Sequence, residues 1–394
     1  MISVAEARAI LIAHARPTGA EDLSVEDCLG RTLAAPVVAR RAQPPFAASA
    51  MDGYAVRSTD TPGRLRLIGE AGAGHALEAT LGPGECARIF TGAPLPNGAD
   101  AVVMQEDVSR EASTITVPAV ASRKHVRDAG LDFAAGTTLL QSGVRLGGAS
   151  LAAAAAAGGE TLTVARRPHV TILAGGDEIV APGADIRGDQ IFDCASFGVS
   201  GLAQTWGAAS KRGPILKDDA GAIATAIEAA FATSDLVVLI GGASVGDHDH
   251  ARAAVRAVGG DILFDKVSLR PGKPTWFALR GGSAILGLPG NPGSALVTAR
   301  LFLCPLITAM LGGDADAAFR PRRAALAAPL PANGPREAYL RAQTHIDDGM
   351  LWVTPASNQD SSLISVFTVA DALIIRTANA DAVPAGARAD LLSI

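Results

Sequence analysis

"DLVVLIGGASVGDHDH", residues 235–250, decides how the rest of the chain is read. Its aliphatic run is too short for a helix and ends in two glycines. That pattern predicts a strand buried on both faces, the kind found in parallel sheets covered by helices. The exit from the strand is unusual: two glycines, a serine, a third glycine, then acids alternating with histidines. A plain loop, a phosphate cradle and a metal site all fit it. If a helix starts here, Asp247 and His250 share a face while His248 and Asp249 point elsewhere. A zinc site would need further ligands that the sequence does not supply, so the histidines read as a solvated helix start.

The same rhythm runs through the neighbourhood. "HVTILAGG", "KRGPIL", "GDILFDKVSL", "TWFAL" and "SAILGL" read as strands. "FGVSGLAQTWG", "AGAIATAIEAAF" and "DHARAAVRAV" read as helices, and "PGSALVTARLFLCPLITAML" as a long closing helix. Alternation of this kind predicts a mostly parallel α/β domain over 168–313. Upstream, Ser3 and Glu6 form a capping box for a first helix. Short β-type runs separated by Pro62-Gly63, Pro83-Gly84 and Asn97-Gly98 predict a β-rich module over 46–133. Residues 1–45 and 134–167 form a linker region with helices. Past Gly312-Gly313 the β pattern returns as a C-terminal domain, 314–394. The expected fold class is therefore multidomain α/β and β.

Bulk composition narrows the function. Hydrophobic residues are 48% and charged residues 19% of 394, a globular balance. A formal net charge of -5 argues against a nucleic-acid binder. The basic clusters "RKHVR" (123–127) and "RPRR" (320–323) read as solvated loops. Four distant cysteines with no CxxC exclude a zinc ribbon and fit a reducing cytoplasm. No signal peptide is expected, because Met1 to Ile12 carries Glu6 and Arg8 at helical spacing, and no membrane span, because "LAAAAAAGG" is too short and too weakly apolar to cross a bilayer.

In open α/β sheets the ligand sits outside the carboxyl ends of the strands. The exits there deliver Asp177 and Glu178; Gly241, Gly242, Ser244, Gly246, Asp247 and Asp249; and "PGNPG", with Pro289, Gly290, Asn291 and Pro292. All three are glycine-rich and offer acids and backbone amides, which points to an anion site. Asn291 suits an N-cap and Pro292 the first helical position, so a helix N-terminus would face that site. "RPGKP" presents Lys273 at a turn with Arg270 beside it, and phosphate suits such a pair. In the β module, Asp52-Gly53 reads as a turn, and Thr91, Asp100, Asp128 and Asp132 sit on loops.

Taken in order, "SAMDGYAV", "IFTGAPLPNGADAVVMQED", "GGASVGDHD", "RPGKP" and "LPGNPGSA" resemble the molybdopterin molybdenumtransferases of the MoeA type, related to the gephyrin E domain. The resemblance covers about residues 3–375. It implies an elongated homodimer with a molybdopterin-binding α/β domain, a β-rich module and a C-terminal β-barrel, its active sites shared between subunits. The implied reaction takes adenylylated molybdopterin and molybdate, releases AMP and leaves molybdenum on the pterin, with Mg(2+) or a similar cation assisting. The molybdopterin adenylyltransferase is an implied partner. The carried-over positions are Asp52, Thr91, Asp132, Glu178, Asp218, Asp249, Lys266 and Lys273. Of these, Glu178, Asp218 and Asp249 are the expected metal ligands. Four positions depart from the family pattern: Gly175-Gly176 lacks a usual Thr, Ala195 stands for Asn, Arg270 for Lys, and Ala48 for Asn. A metal-dependent nucleotide pyrophosphatase and a non-catalytic pterin-binding scaffold are the rival readings.

Overall fold

The structure is a computed structural model and describes residues 1–242 and 250–394. At its centre is a sheet of six strands: β1 (His169–Ala174), β2 (Ala209–Arg212), β3 (Leu236–Ile240), β4 (Asp261–Phe264), β5 (Trp276–Arg280) and β6 (Ser283–Leu288). Their order is β2-β1-β3-β6-β5-β4. The first four run parallel, and β5 and β4 extend the sheet antiparallel.

Strand side chains alternate between two layers, as a period of two requires. Val170, Ile172, Leu236, Val238 and Ile240 pack in one core with helix α1 (Ala195–Thr205) and the closing helix α4 (Pro292–Met310). Leu173, Val237, Leu239 and Ile285 pack in the other, against α2 (Ala220–Phe231) and α3 (His250–Ala257). This is why β3 is buried at all five positions. The N-terminal helix Val4–Ala13 carries the expected capping box and joins the first of these cores through Val4, Ala7 and Leu11.

Some sequence expectations shift. The "KRGPIL" strand lies one step earlier, at β2, and ends before Gly213, where a Cβ would stand 2.4 Å from Leu173 Cδ2. "GDILFDKVSL" divides: β4 stays in the α/β sheet, while Leu269–Arg270 pairs in parallel with Glu337 and Ala338 of the C-terminal sheet. Arg322 and Arg323 of "RPRR" are exposed but belong to the strand Arg322–Leu326. Helix α4 contains a π segment, Ala299–Leu303, just before Pro305. Proline has no N–H to return to the preceding turn, and a wider turn accommodates its ring. By length and composition α4 could cross a membrane, yet 89% of that window is buried inside the protein.

Residues 53–117 supply a second six-stranded sheet, in which Gly53–Val56 lies between Ala101–Met104 and Glu85–Ile89. Gly53, read as a turn residue, is instead the buried start of a strand. A Cβ there would lie 1.9 Å from the Val103 carbonyl oxygen, so close backbone approach is what requires glycine. The C-terminal strands curl into a closed barrel, the strand Glu337–Asp347 pairing with both Met350–Pro355 and Ala372–Arg376.

Trp276 and Gly287 face each other across β5 and β6. The indole is fully buried, and a Cβ on Gly287 would fall 1.9 Å from its Cε2 atom. The expected result of Gly287→Ala is a loss of about 1–3 kcal/mol, because the indole must leave its rotamer. Tryptophan fluorescence during urea unfolding measures this; an unchanged midpoint would mean the indole has room to move.

Candidate functional site

Chain direction reverses across β1: one connection leads to β2 on one side and the next to β3 on the other. Such a switch point opens a crevice at the carboxyl ends of the strands. Here the crevice is a cleft of about 1330 Å³. Ordinary ligand pockets hold roughly 300–1,000 Å³, so this one suits a large ligand.

The floor is glycine backbone. Gly241 has φ +84, and a Cβ on it would stand 2.5 Å from the Gly175 carbonyl oxygen. A Cβ on Gly290 would lie 3.4 Å from the Gly241 Cα. Three strand exits therefore meet with no side chain between them. The expectation that these exits offer open amides needs correction. The Gly175 N–H donates to Ile240 O at 2.9 Å, Gly176 N–H to Leu216 O at 3.1 Å, and Gly241 N–H to Leu288 O at 3.1 Å. These donors are spent on continuing the sheet.

The start of α4 is engaged in the same way. Asn291 is the N-cap residue, but its side chain makes no cap bond; Nδ2 donates to Ser361 Oγ at 2.7 Å. Gly293 N–H donates to Ser361 O at 2.9 Å. Cationic side chains stand beside these engaged amides. Arg270, Lys273 and Arg336 all line the cleft. The "RPGKP" turn is packed on α4, since a Cβ at Gly272 would meet Thr298 Cγ2 at 2.3 Å. Arg336 Nη1 donates to Leu269 O at 3.3 Å, which ties it beside Arg270.

Acids line the same cleft. Glu178 and Asp218 are both exposed within it. Asp177 is engaged by Lys217 Nζ at 4.0 Å and accepts from Asp218 N–H at 3.4 Å. Buried Asp193 accepts from Ser196 N–H at 3.0 Å and from its hydroxyl, which fixes the start of α1.

Of the sequence-derived residues, the cleft gathers Glu178, Asp218, Gly241, Gly242, Arg270, Lys273, Pro289, Gly290, Asn291 and Pro292. His250, read as incidental, also lines it. Ser244, Gly246 and Asp249 lie outside the described residues. Lys266 is half-buried next to it in sequence but not on its lining; its carbonyl accepts from Ile2 N–H at 3.2 Å.

Asp52, Thr91 and Asp132 are elsewhere, on the β-rich module. Thr91 N–H and Oγ1–H donate to Asp52 Oδ1 at 2.8 and 2.9 Å. Those two bonds, the backbone one first, hold the Asp52 carboxyl below its ordinary range. Asp132 is exposed on a loop whose N–H donates to Gln43 O at 2.9 Å.

Sequence reasoning missed the barrel's share of the site: Arg336 and the loop carrying Gln359, Asp360, Ser361, Ser362 and Ile364. Fully buried Arg341 anchors this loop, its Nη1 donating to Asp360 O at 3.0 Å and Leu363 O at 3.3 Å. "NQDSSLI" has no periodicity and no spacing to any strand exit, so nothing in the sequence signalled it.

Comparisons with known proteins agree on one family. Residues 2–158 match the MoeA N-terminal region (domain I and II), 171–309 a probable molybdopterin binding domain, and 323–394 the MoeA C-terminal region (domain IV). A molybdopterin molybdenumtransferase of Nostoc sp. is 36% identical over 84% of this chain and 79% of its own. That of Haemophilus influenzae is 33% identical over 91% of this chain and 90% of its own. The crystal structure of the molybdopterin biosynthesis MoeA protein from Pyrococcus horikoshii superposes with a TM-score of 0.86 at 28% identity, covering 100% of this chain and 99% of that one. The chain is thus an enzyme of the molybdopterin molybdenumtransferase family, with a role in molybdenum cofactor biosynthesis.

Proposed function

We propose that the enzyme transfers molybdenum from molybdate to adenylylated molybdopterin, with loss of AMP. The observation that carries this reading is the cleft itself: one large crevice with Arg270, Lys273 and Arg336 along it and Glu178 and Asp218 in it. Both substrates are anions. Two like charges about 4 Å apart repel by roughly 4 kcal/mol at an effective dielectric near 20. The guanidinium and ammonium groups hold the phosphate and oxyanion, while the two carboxylates call for a divalent cation.

Magnesium suits this donor set. Among the described residues no three-donor metal cluster is preformed. Magnesium needs none, because it typically takes one or two carboxylates together with substrate phosphates. Glu178 and Asp218, with Asp249 as a further candidate, would hold it, and when bound it polarises the phosphoanhydride. Lys273 and Arg270 would orient the leaving phosphate.

Asp52, Thr91 and Asp132 complete the site from a second copy of the chain, which accounts for carboxylates on a module outside this cleft. The division into 1–45 with 134–167, 46–133, 168–313 and 314–394 is part of the same reading, as are a cytoplasmic location and a functional partnership with the molybdopterin adenylyltransferase.

Three measurements check this. AMP release from adenylylated molybdopterin should require molybdate, and Lys273→Ala should lower kcat/KM at least about tenfold through the loss of a charge-assisted contact. Equal release without molybdate would make the protein a pyrophosphatase, and tight binding without release a scaffold. Asp52→Asn and Glu178→Gln should each be inactive, yet mixed subunits should recover about a quarter of wild-type activity. Half the dimers are then mixed, each with one intact shared site; no recovery from proven mixed dimers would reject sharing. Thr91→Val should raise the Asp52 titration midpoint, read by NMR, since it removes a hydroxyl that favours the ionised form. An unmoved midpoint would mean the Thr91 amide alone holds the carboxylate down.

A further inference from the structure

Phe192 is the feature of the cleft that the chemistry above does not use. The residue is 43% exposed, and Ile191 beside it is 54% exposed. Large apolar groups in water call for an explanation when they share one place. Both line the cleft, as does Ile364 from the barrel loop. Among the described lining residues, Phe192 is the only Phe, Tyr or Trp.

The exposure does not come from a loosely held segment. Ile191–Phe192 pairs in parallel with Ile179–Val180. Ile191 N–H donates to Glu178 O at 2.8 Å, and Asp193 N–H donates to Val180 O at 2.8 Å. The next residue, Asp193, is buried and bonded to Ser196. The backbone is therefore clamped on both sides of Phe192, and the ring is held on the same ribbon as Glu178.

Another exposed ring shows what partnering looks like in this protein. Phe197 is 44% exposed, but the Arg212 guanidinium covers it at 3.4 Å from the ring centroid. Among the described residues, no aromatic ring or guanidinium stacks on Phe192. A rigid, uncovered ring in a ligand cleft is a stacking platform, and stacking on aromatic side chains is how proteins hold flat heterocycles without reading their edges.

We propose that Phe192, in a cleft that Ile191 and Ile364 also line, is the positioning residue for a planar heterocycle of the substrate, and that this stack sets where the phosphoanhydride lies relative to Glu178. The inference rests on the proposed substrate, which carries two such rings, a pterin and an adenine. The shared chemistry is a flat nitrogen heterocycle, and the two rings are separated by the test.

The experiment is calorimetric titration of the full-length protein with three probes: AMP, an oxidised soluble pterin, and molybdate. Phe192→Ala should weaken one ring probe about tenfold, and Phe192→Trp should restore it to within about threefold. Molybdate affinity should stay unchanged in both variants, which excludes general damage to the cleft. Loss confined to AMP assigns the adenine, and loss confined to the pterin assigns that ring. In turnover, the Ala variant should act mainly through KM. Ring binding that is indifferent to Phe192, or a change of oligomeric state in place of a change in affinity, would overturn the platform alone. Failure of the wild-type protein to bind any of the three probes would instead overturn the proposed substrate.

Discussion

The site depends on three glycine backbones in contact. Gly175, Gly241 and Gly290 leave β1, β3 and β6 at the same level, and Gly241 is packed so closely on Gly175 that even a methyl group would collide. Neighbouring strands lie about 4.8 Å apart, so side chains at these exits would fill the crevice that the switch point opens. The glycines keep it open. The Gly175 and Gly241 amides continue the sheet ladder, which makes that part of the floor rigid and takes those two donors away from a ligand. The charged side chains of the cleft are brought in largely from outside the parallel strands.

Those side chains arrive through the join between the α/β domain and the barrel. Leu269–Arg270 is a strand of the barrel sheet that opens the "RPGKP" turn, so one short segment places Arg270 and Lys273 and also receives the carbonyl bond from Arg336. On the other side, Ser361 accepts from Gly293 N–H and from Asn291. Gly293 has no space for a side chain there, because a Cβ would lie 2.7 Å from Ser361 O and 2.9 Å from Arg341 Nη1. The glycine after Asn291-Pro292, read from sequence as part of a phosphate-facing helix start, is thus also a docking surface for the barrel loop.

This explains which parts were legible. Strand exits declare themselves because a buried parallel strand is continuously aliphatic and the crevice needs glycine; Glu178, Gly241 and Asn291 followed from that logic. Gly53 misled because the same residue serves turns and close backbone approach, and only the position of Val103 O separates them. Ser361, Arg336 and Phe192 were illegible for a different reason. Ser361 and Arg336 reach the cleft through tertiary contacts across long sequence separations, and neither a polar loop nor a lone aromatic such as Phe192 has a periodicity that reveals its place. The motif resemblance supplied Asp52, Thr91 and Asp132, which spacing alone left as loop residues.

Electrostatic balance is the last link. Asp177 lies beside Lys217, Asp193 caps α1 through Ser196, and Asp360 accepts from Ser362 N–H and Oγ, which holds its carboxyl below its usual range. Asp193 and Asp360 are held by these serine bonds, whereas Asp177 is exposed and meets Lys217 only at 4.0 Å. The lining also carries Glu178 and Asp218, with Arg270, Lys273 and Arg336. The described lining carries five carboxyl groups, Asp177, Glu178, Asp193, Asp218 and Asp360, against three cations, Arg270, Lys273 and Arg336, so under the proposed function a divalent cation would offset the excess of negative charge that faces an anionic substrate. Under that proposal productive binding would depend on the cation, because an anion seated without it would face uncompensated carboxylates.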